Sequence, residues 1–278
     1  MTINWFPGHM VKARREIEKN IKLVDIALIL LDARAPFSCR NSDLEKIARN
    51  KKVVMVLNKA DLASPEAIRR YMQALEQEGF LVATMDSLSG KGRQAVLRMA
   101  KSAFREKAEE LQRKGRRTRA IRAMVMGVPN IGKSTFLNCL VGQKIAQTGA
   151  KPGVTRGKQW VRLHEDIELL DTPGLMWPRV ESEEQGLKLA LLDIVGENAY
   201  SEYEVGLYLL SILKDKHPQI LLEKLGLDVG NQLEEEMLAA IARKRGYLLK
   251  GGVPDLDKTC QVLLQEFRRG KLGTISLD

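Results

Sequence analysis

GVPNIGKS, Gly127 to Ser134, decides the reading of this chain. It fulfils the phosphate-loop pattern GxxxxGK[ST], follows a short apolar run from Ile121 to Met126, and opens a helical pattern with Phe136, Leu137, Leu140 and Val141 on one face. That strand–loop–helix context separates a working phosphate loop from a chance match. Glycine lets the backbone wrap closely around phosphate oxygens, and the N–H groups opening the helix direct positive dipole at them. Lys133 can then reach the β- and γ-phosphates, and Ser134 can ligate magnesium. Asn130, Ile131, Gly132 and Thr135 belong to the same expected phosphate cradle. An inert glycine-containing turn is the alternative, and the complete pattern in context weighs against it. The stretch predicts a nucleotide site.

Upstream, Asn58-Lys59-Ala60-Asp61 closes a second apolar run, Val53 to Leu57. Ligands of open α/β sheets gather at that carboxyl end. Asp61 can accept two hydrogen bonds from guanine, at its ring N–H and exocyclic amine. Adenine offers no such donor pair, so the carboxylate would be left desolvated and unpaired. Asn58 can bond the base edge and neighbouring loops, and the Lys59 stem can lie against the purine face. Leu81 to Met85 reads as a third strand, delivering Asp86 and Ser87 beside the base.

Downstream, residues 149–157 are too rich in Gly and Pro for regular structure, and Thr155 within them can offer a hydroxyl to magnesium. Residues 160–164 and 167–170 suggest a hairpin, which delivers Asp171-Thr172-Pro173-Gly174. Asp171 fits a magnesium-associated carboxylate and Gly174 a sensor of the γ-phosphate. Most GTPases begin with the phosphate loop and end with the guanine-selecting motifs. Here the guanine motifs come first, which predicts a circular permutation joined through the basic stretch 91–122. A parallel sheet tolerates this, because connections change while strand positions do not.

Composition bounds the rest. Hydrophobic residues make up 44% of 278, enough for a proper core and typically for two domains. Cys39, Cys139 and Cys260 are far apart with no CxxC pair, which argues against zinc or a disulfide framework and for a reducing compartment. The N-terminus lacks the apolar core of a secretory signal, and the longest apolar run, Ile26 to Leu31, is too short to cross a bilayer. A cytoplasmic protein with no membrane partner is expected. Net charge is +10, and residues 91–126 hold twelve Lys or Arg against three Glu. Such density favours a polyanion partner over a merely solvated face. Residues 8–24 read as an amphipathic helix with a basic outer face. Residues 184–196, 202–216, 218–226, 232–245 and 257–269 are helical in pattern. The expected layout is an α/β GTP-binding domain over 1–178, a mostly parallel sheet flanked by helices, and a small all-helical domain over 179–278.

The chain resembles the circularly permuted GTPases of ribosome assembly, most closely the bacterial ribosome biogenesis GTPase A group. NWFPGHMVKARRE at 4–16, LDARAPFSCRN at 31–41, NKAD, GVPNIGKS, KPGVTRGKQWV at 151–161 and LDTPGLMWP at 170–178 carry that resemblance, with KRGYLLKGG at 244–252 in the helical part. It implies GTP hydrolysis with Mg²⁺, coupled to late maturation of the large ribosomal subunit. It also implies a helical domain contacting ribosomal RNA and a monomer off the ribosome. Asn130 resembles the Asn of potassium-activated GTPases, so K⁺ is a candidate cofactor. In Ras-like GTPases a Gln after DxxG positions the attacking water. Here that position is Leu175, so another polar group is needed, and His9 in the Pro-Gly-His turn is the candidate catalytic residue. Two other readings stand beside this one: a nucleotide-gated RNA-binding module with incidental turnover, and a tRNA-modification-type GTPase, for which no modification site is visible.

Overall fold

The computed structural model describes residues 7–115, 119–142, 160–164, 167–170, 172, 174–176, 180–195, 200–228 and 232–278, with the backbone alone at 7–10 and 164. Thr155, Asp171, Arg116 and Arg117 lie outside them. Two compact units are present, 180–277 and the remainder.

The larger unit is built on six strands: β1 (Ile26–Asp32), β2 (Lys52–Asn58), β3 (Leu81–Met85), β4 (Ile121–Met126), β5 (Trp160–His164) and β6 (Ile167–Leu170). Their spatial order is β3-β2-β1-β4-β6-β5, parallel throughout except that β5 runs against β6. Every residue of β1 is buried. A parallel strand covered on both faces reads as a continuous apolar run for this reason. Truncating a core side chain such as Leu30 to Ala would cost about 2–5 kcal/mol. The covering helices are α1 (Pro7–Asn20), α2 (Ser42–Ala48), α3 (Pro65–Gln77), α4 (Arg93–Arg113) and α5 (Lys133–Val141). Their starts follow local chemistry. The Asn41 side chain accepts the Asp43 N–H to cap α2, and Ser64 caps α3 with Pro65 at its first position.

The parallel order brings the carboxyl ends of β1, β2, β3 and β4 to one edge of the sheet. Asp32 and Asn58 are direct partners across β1 and β2. The chain therefore presents its NKAD, Asp86-Ser87 and phosphate-loop segments together, as the permuted order of motifs requires.

The smaller unit contains α6 (Glu183–Leu191), α7 (Glu202–Lys216), α8 (Pro218–Ile220, continued by a π-turn over Leu221–Leu225), α9 (Glu234–Arg245) and α10 (Leu256–Arg268). α7 and α10 approach closely, because a Cβ at Gly206 would lie 2.7 Å from the Cys260 sulfur. Ser201 and Glu204 form a capping box at the start of α7. The helical pattern over 184–196 stops early, at Leu191. Asp193 takes a left-handed conformation (φ 60°), and the Asp193 and Ile194 N–H groups bond back to Ala190 and Leu189. This closure ordinarily uses glycine, so an Asp there gives little sequence signal. No described helix is long and apolar enough to cross a membrane.

Candidate nucleotide site

At the phosphate end, the loop between β4 and α5 is made of backbone placed at close quarters. Asn130 adopts a left-handed conformation (φ 55°), which Asn tolerates better than most side chains. Gly132 is left-handed too (φ 97°), and a Cβ there would sit 2.7 Å from the Asn58 amide nitrogen. Glycine is required on both counts. Ile131 is fully buried and anchors the loop to the core. Lys133 donates from Nζ to the carbonyls of Val128 (2.8 Å) and Gly127 (3.3 Å), which folds its amine back over the loop. Ser134 follows it in the first turn of α5.

Gly174 is pressed against this loop. A Cβ at Gly174 would lie 2.8 Å from the Pro129 nitrogen and 3.0 Å from Lys133 Nζ. Its neighbours are held on both sides: Thr172 Oγ1 donates to the Val125 carbonyl at 2.6 Å, the Leu175 N–H to Gly127 at 3.3 Å, and Asn41 Nδ2 to the Leu175 carbonyl at 3.0 Å. Leu175 itself is buried, so the position after DxxG offers no side-chain group to a water molecule.

At the base end, Asn58 is buried and bridges two loops. Its Nδ2 donates to the Ile131 carbonyl at 3.0 Å, and its Oδ1 accepts from Ser87 Oγ at 2.6 Å. Asn58 thereby couples the guanine loop to the phosphate loop. Lys59 is left-handed (φ 56°), a conformation that costs a non-glycine residue of order 1 kcal/mol and persists only where neighbours enforce it. Ala60 to Leu62 form a single 3-10 turn that sets Asp61 at the surface. Partial burial pushes the Asp61 carboxyl up, with nearby Asp86 adding to the effect and Arg34 opposing it. Asp86 was expected beside the base. Its carboxylate is engaged within its own loop, accepting from the Leu88 and Ser89 N–H groups and from the Ser89 hydroxyl. Burial raises its pKa, but those bonds prevail and leave it lowered.

A charged cluster beneath the NKAD loop draws Asp32 and Arg34 from the LDARAPFSCRN stretch, to which the sequence assigned no role. Asp32, at the end of β1, is completely buried. Its carboxylate receives Arg34 Nε (2.9 Å), Arg34 Nη2 (2.8 Å) and the Arg34 N–H (3.1 Å), and it pairs with Lys59 Nζ at 3.1 Å. Burial alone would raise the Asp32 pKa. Lys59 and Arg34 overcome it and hold the carboxyl well below the usual carboxylate range. The Lys59 amine is thus anchored to Asp32 and lies 3.5 Å from the Asn130 carbonyl.

His9 lies in the first turn of α1. His217 closes α7, half-buried, with its pKa lowered by burial and by Lys216. The magnesium ligand set named from sequence, Ser134 with Thr155 and Asp171, consists of hard oxygen donors, which suits Mg²⁺. Only Ser134 is among the described residues, and its place directly after Lys133 at the helix start is compatible with that role.

Part of the basic segment 91–126 is engaged within the protein. Asp25, whose side chain is 1% exposed, binds Lys107 at 2.6 Å, Arg119 at 2.8 Å and the Arg122 N–H at 3.0 Å. Burial pushes the Asp25 pKa up, and these donors bring it below normal. Arg122 also pairs with Glu168 at 3.2 Å and lies over the Trp160 ring, while Arg93 donates to the Leu140 carbonyl. Arg119 and Arg122, within the stretch read as facing a polyanion, are therefore structural ion-pair residues as well.

A family profile described as "50S ribosome-binding GTPase" matches residues 122–241. Ribosome biogenesis GTPase A of Bacillus pumilus is 40% identical over all of this chain and 99% of its own length. Its namesake in Thermotoga maritima is 29% identical over 99% of this chain and 94% of that protein. Among solved structures, GDP-bound YlqF of the same organism superposes with a TM-score of 0.66 at 26% identity, covering 95% of this chain and 98% of that one. Permuted motif order, parallel sheet and full-length identity agree: the chain is a GTP hydrolase of the circularly permuted type and belongs to the ribosome biogenesis GTPase A family.

Proposed function

We propose that this GTPase is an assembly factor in late maturation of the large (50S) ribosomal subunit, binding ribosomal RNA or its precursor particle in one nucleotide state and leaving in the other. The carrying observation is that 40% identity to proteins named Ribosome biogenesis GTPase A runs across the whole chain, helical unit included, and not only across GTP-binding motifs. Sedimentation with ribosomal particles tests it. Co-migration with large-subunit precursors in a GTP analogue and release in GDP is the expected result, and equal behaviour in both states would overturn it.

In this reading Asp61 selects guanine, Asn58 and Ser87 hold the base loop, and Asn130 to Thr135 embrace the phosphates with Lys133 extended from its loop carbonyls. Ser134, Thr155 and Asp171 would hold Mg²⁺, which when bound offsets phosphate charge. Gly174 reports the γ-phosphate, since a backbone so close to Pro129 and Lys133 must respond to what lies there. Asn130 is the candidate ligand of K⁺, tested by rates in potassium and in sodium. Equal rates reject it.

Leu175 is buried and holds no polar group, so hydrolysis by the protein alone is slow. His9 supplies the missing group once RNA docking brings the start of α1 towards the γ-phosphate, where it orients the water. His9→Ala should keep GTP affinity and particle binding and lose most of the subunit-stimulated rate. Full stimulation of that variant would remove His9 from catalysis.

A further inference from the structure

A groove of about 890 Å³ lies between the second half of α1, with the 3-10 turn that follows it, and the connection from α2 to β2. Seven Lys or Arg side chains line it, against a single carboxylate, Glu18. Glu18 is already taken by Arg14 Nε at 3.0 Å, and Arg14 also reaches Asp43 at 3.2 Å. Lys51 is drawn onto the Val24 carbonyl at 2.7 Å. Lys46 stands 3.7 Å from Asp43. The remaining four cations differ from these. The side chains of Arg15, Lys19, Lys22 and Arg49 are exposed and form no ion pair or hydrogen bond among the described residues. Ile21 and Ile47 add apolar surface to the same lining.

The contrast with the segment 91–126 is chemical. There Asp25, Glu109, Glu110 and Glu168 answer the cations. In the groove four cations gather with no anion paired to them among the described residues, and that arrangement repels itself until a polyanion arrives. An open trough fits a chain of successive phosphates better than one enclosed phosphate, and the apolar lining suits sugar or base faces between them. The groove also sits away from the nucleotide. It borders the amino end of β2, whereas Asn58 ends that strand about 20 Å away at 3.3 Å per residue.

We propose that this groove is an RNA-backbone clamp, engaging consecutive phosphates through Arg15, Lys19, Lys22 and Arg49. It rests on the reading of a ribosomal partner given above and identifies a surface for it. The test uses the full chain carrying Lys22→Gln with Arg49→Gln, both exposed and unpaired, and a control carrying Arg69→Gln with Arg98→Gln elsewhere on the same unit. Binding to purified large subunits is measured across salt, with fluorescent GDP affinity and a melting curve on each protein. Each phosphate contact contributes about 0.7–0.9 to the slope of log affinity against log salt. The groove variant should bind subunits more weakly, with a slope shallower by about 1.5, and bind GDP like wild type. The control should match wild type in both. Superimposed salt curves, or an equal loss in the control, overturn the clamp while leaving the ribosomal reading intact. If wild type binds no ribosomal particle in either nucleotide state, both fail. A groove variant that loses binding to phosphatidylglycerol vesicles but not to subunits assigns the surface to lipid and overturns the RNA clamp.

Discussion

The two ends of the nucleotide site are built on different principles. The guanine end is set by side chains fastened in advance: Asn58 between Ser87 and Ile131, Lys59 onto Asp32, Asp32 onto Arg34. The phosphate end is set by backbone, with glycines at Gly132 and Gly174 where no Cβ fits. In the proposed reading base recognition is wired into the core, and substitutions there should reach stability as well as selectivity. Phosphate recognition depends on close approach, and substitutions there should reach turnover first.

The strongest way to sharpen this contrast is Asp61→Asn. Exchanging the acceptor for an amide should favour xanthosine triphosphate over GTP, shifting relative affinity by on the order of 10⁴-fold, the scale of sites built around a specific hydrogen-bond pattern. Competition binding measures it, and an unchanged preference for GTP removes Asp61 from the site.

Next comes Asp32→Asn. It leaves Arg34 buried and Lys59 without its anchor, so unfolding free energy should fall by about 3–5 kcal/mol. Asp32 has a depressed pKa when folded, so its contribution is present above the unfolded value near 4 and is lost as pH falls below it. The stability gap between wild type and variant should thus narrow in acid. Denaturant titrations at neutral and acid pH check this, and a gap independent of pH would break the claim that the guanine end is held by charge.

A smaller effect is expected from Gly174→Ala. The added Cβ would fall 2.8 Å from Pro129, against backbone that cannot step aside cheaply. Turnover should drop about 10²-fold, similar to losing one aligned donor, with GDP affinity nearly unchanged. If GDP binding falls as far as turnover, Gly174 shapes the loop and senses nothing.

Much of this was legible in the chain itself. Strand runs are continuous where a parallel sheet buries both faces, so β1 to β4 stand out, and the Glu165-Asp166 break marks the hairpin of β5 and β6. The phosphate loop and NKAD are local patterns and read directly. What was hidden depends on register or on distant partners. Asp32 meets Lys59 because β1 and β2 pair Asp32 with Asn58, a fact no window of sequence contains. Charge counting marked residues 91–126 as a docking surface, yet Asp25, 82 residues before Lys107, pairs with two of those cations, Lys107 and Arg119. Asp86 was read as lying beside the base from its place after β3, and its bonds to Leu88 and Ser89, which shape its own turn, were not foreseen.

The central claim is a slow GTPase completed by a ribosomal partner. Steady-state GTP hydrolysis by the full chain, with and without purified large subunits, tests it most directly. Buried Leu175 predicts a rate alone of about 10⁻⁴ to 10⁻² s⁻¹, as in unassisted relatives, rising at least ~10-fold with subunits. A rate that subunits leave unchanged would contradict it.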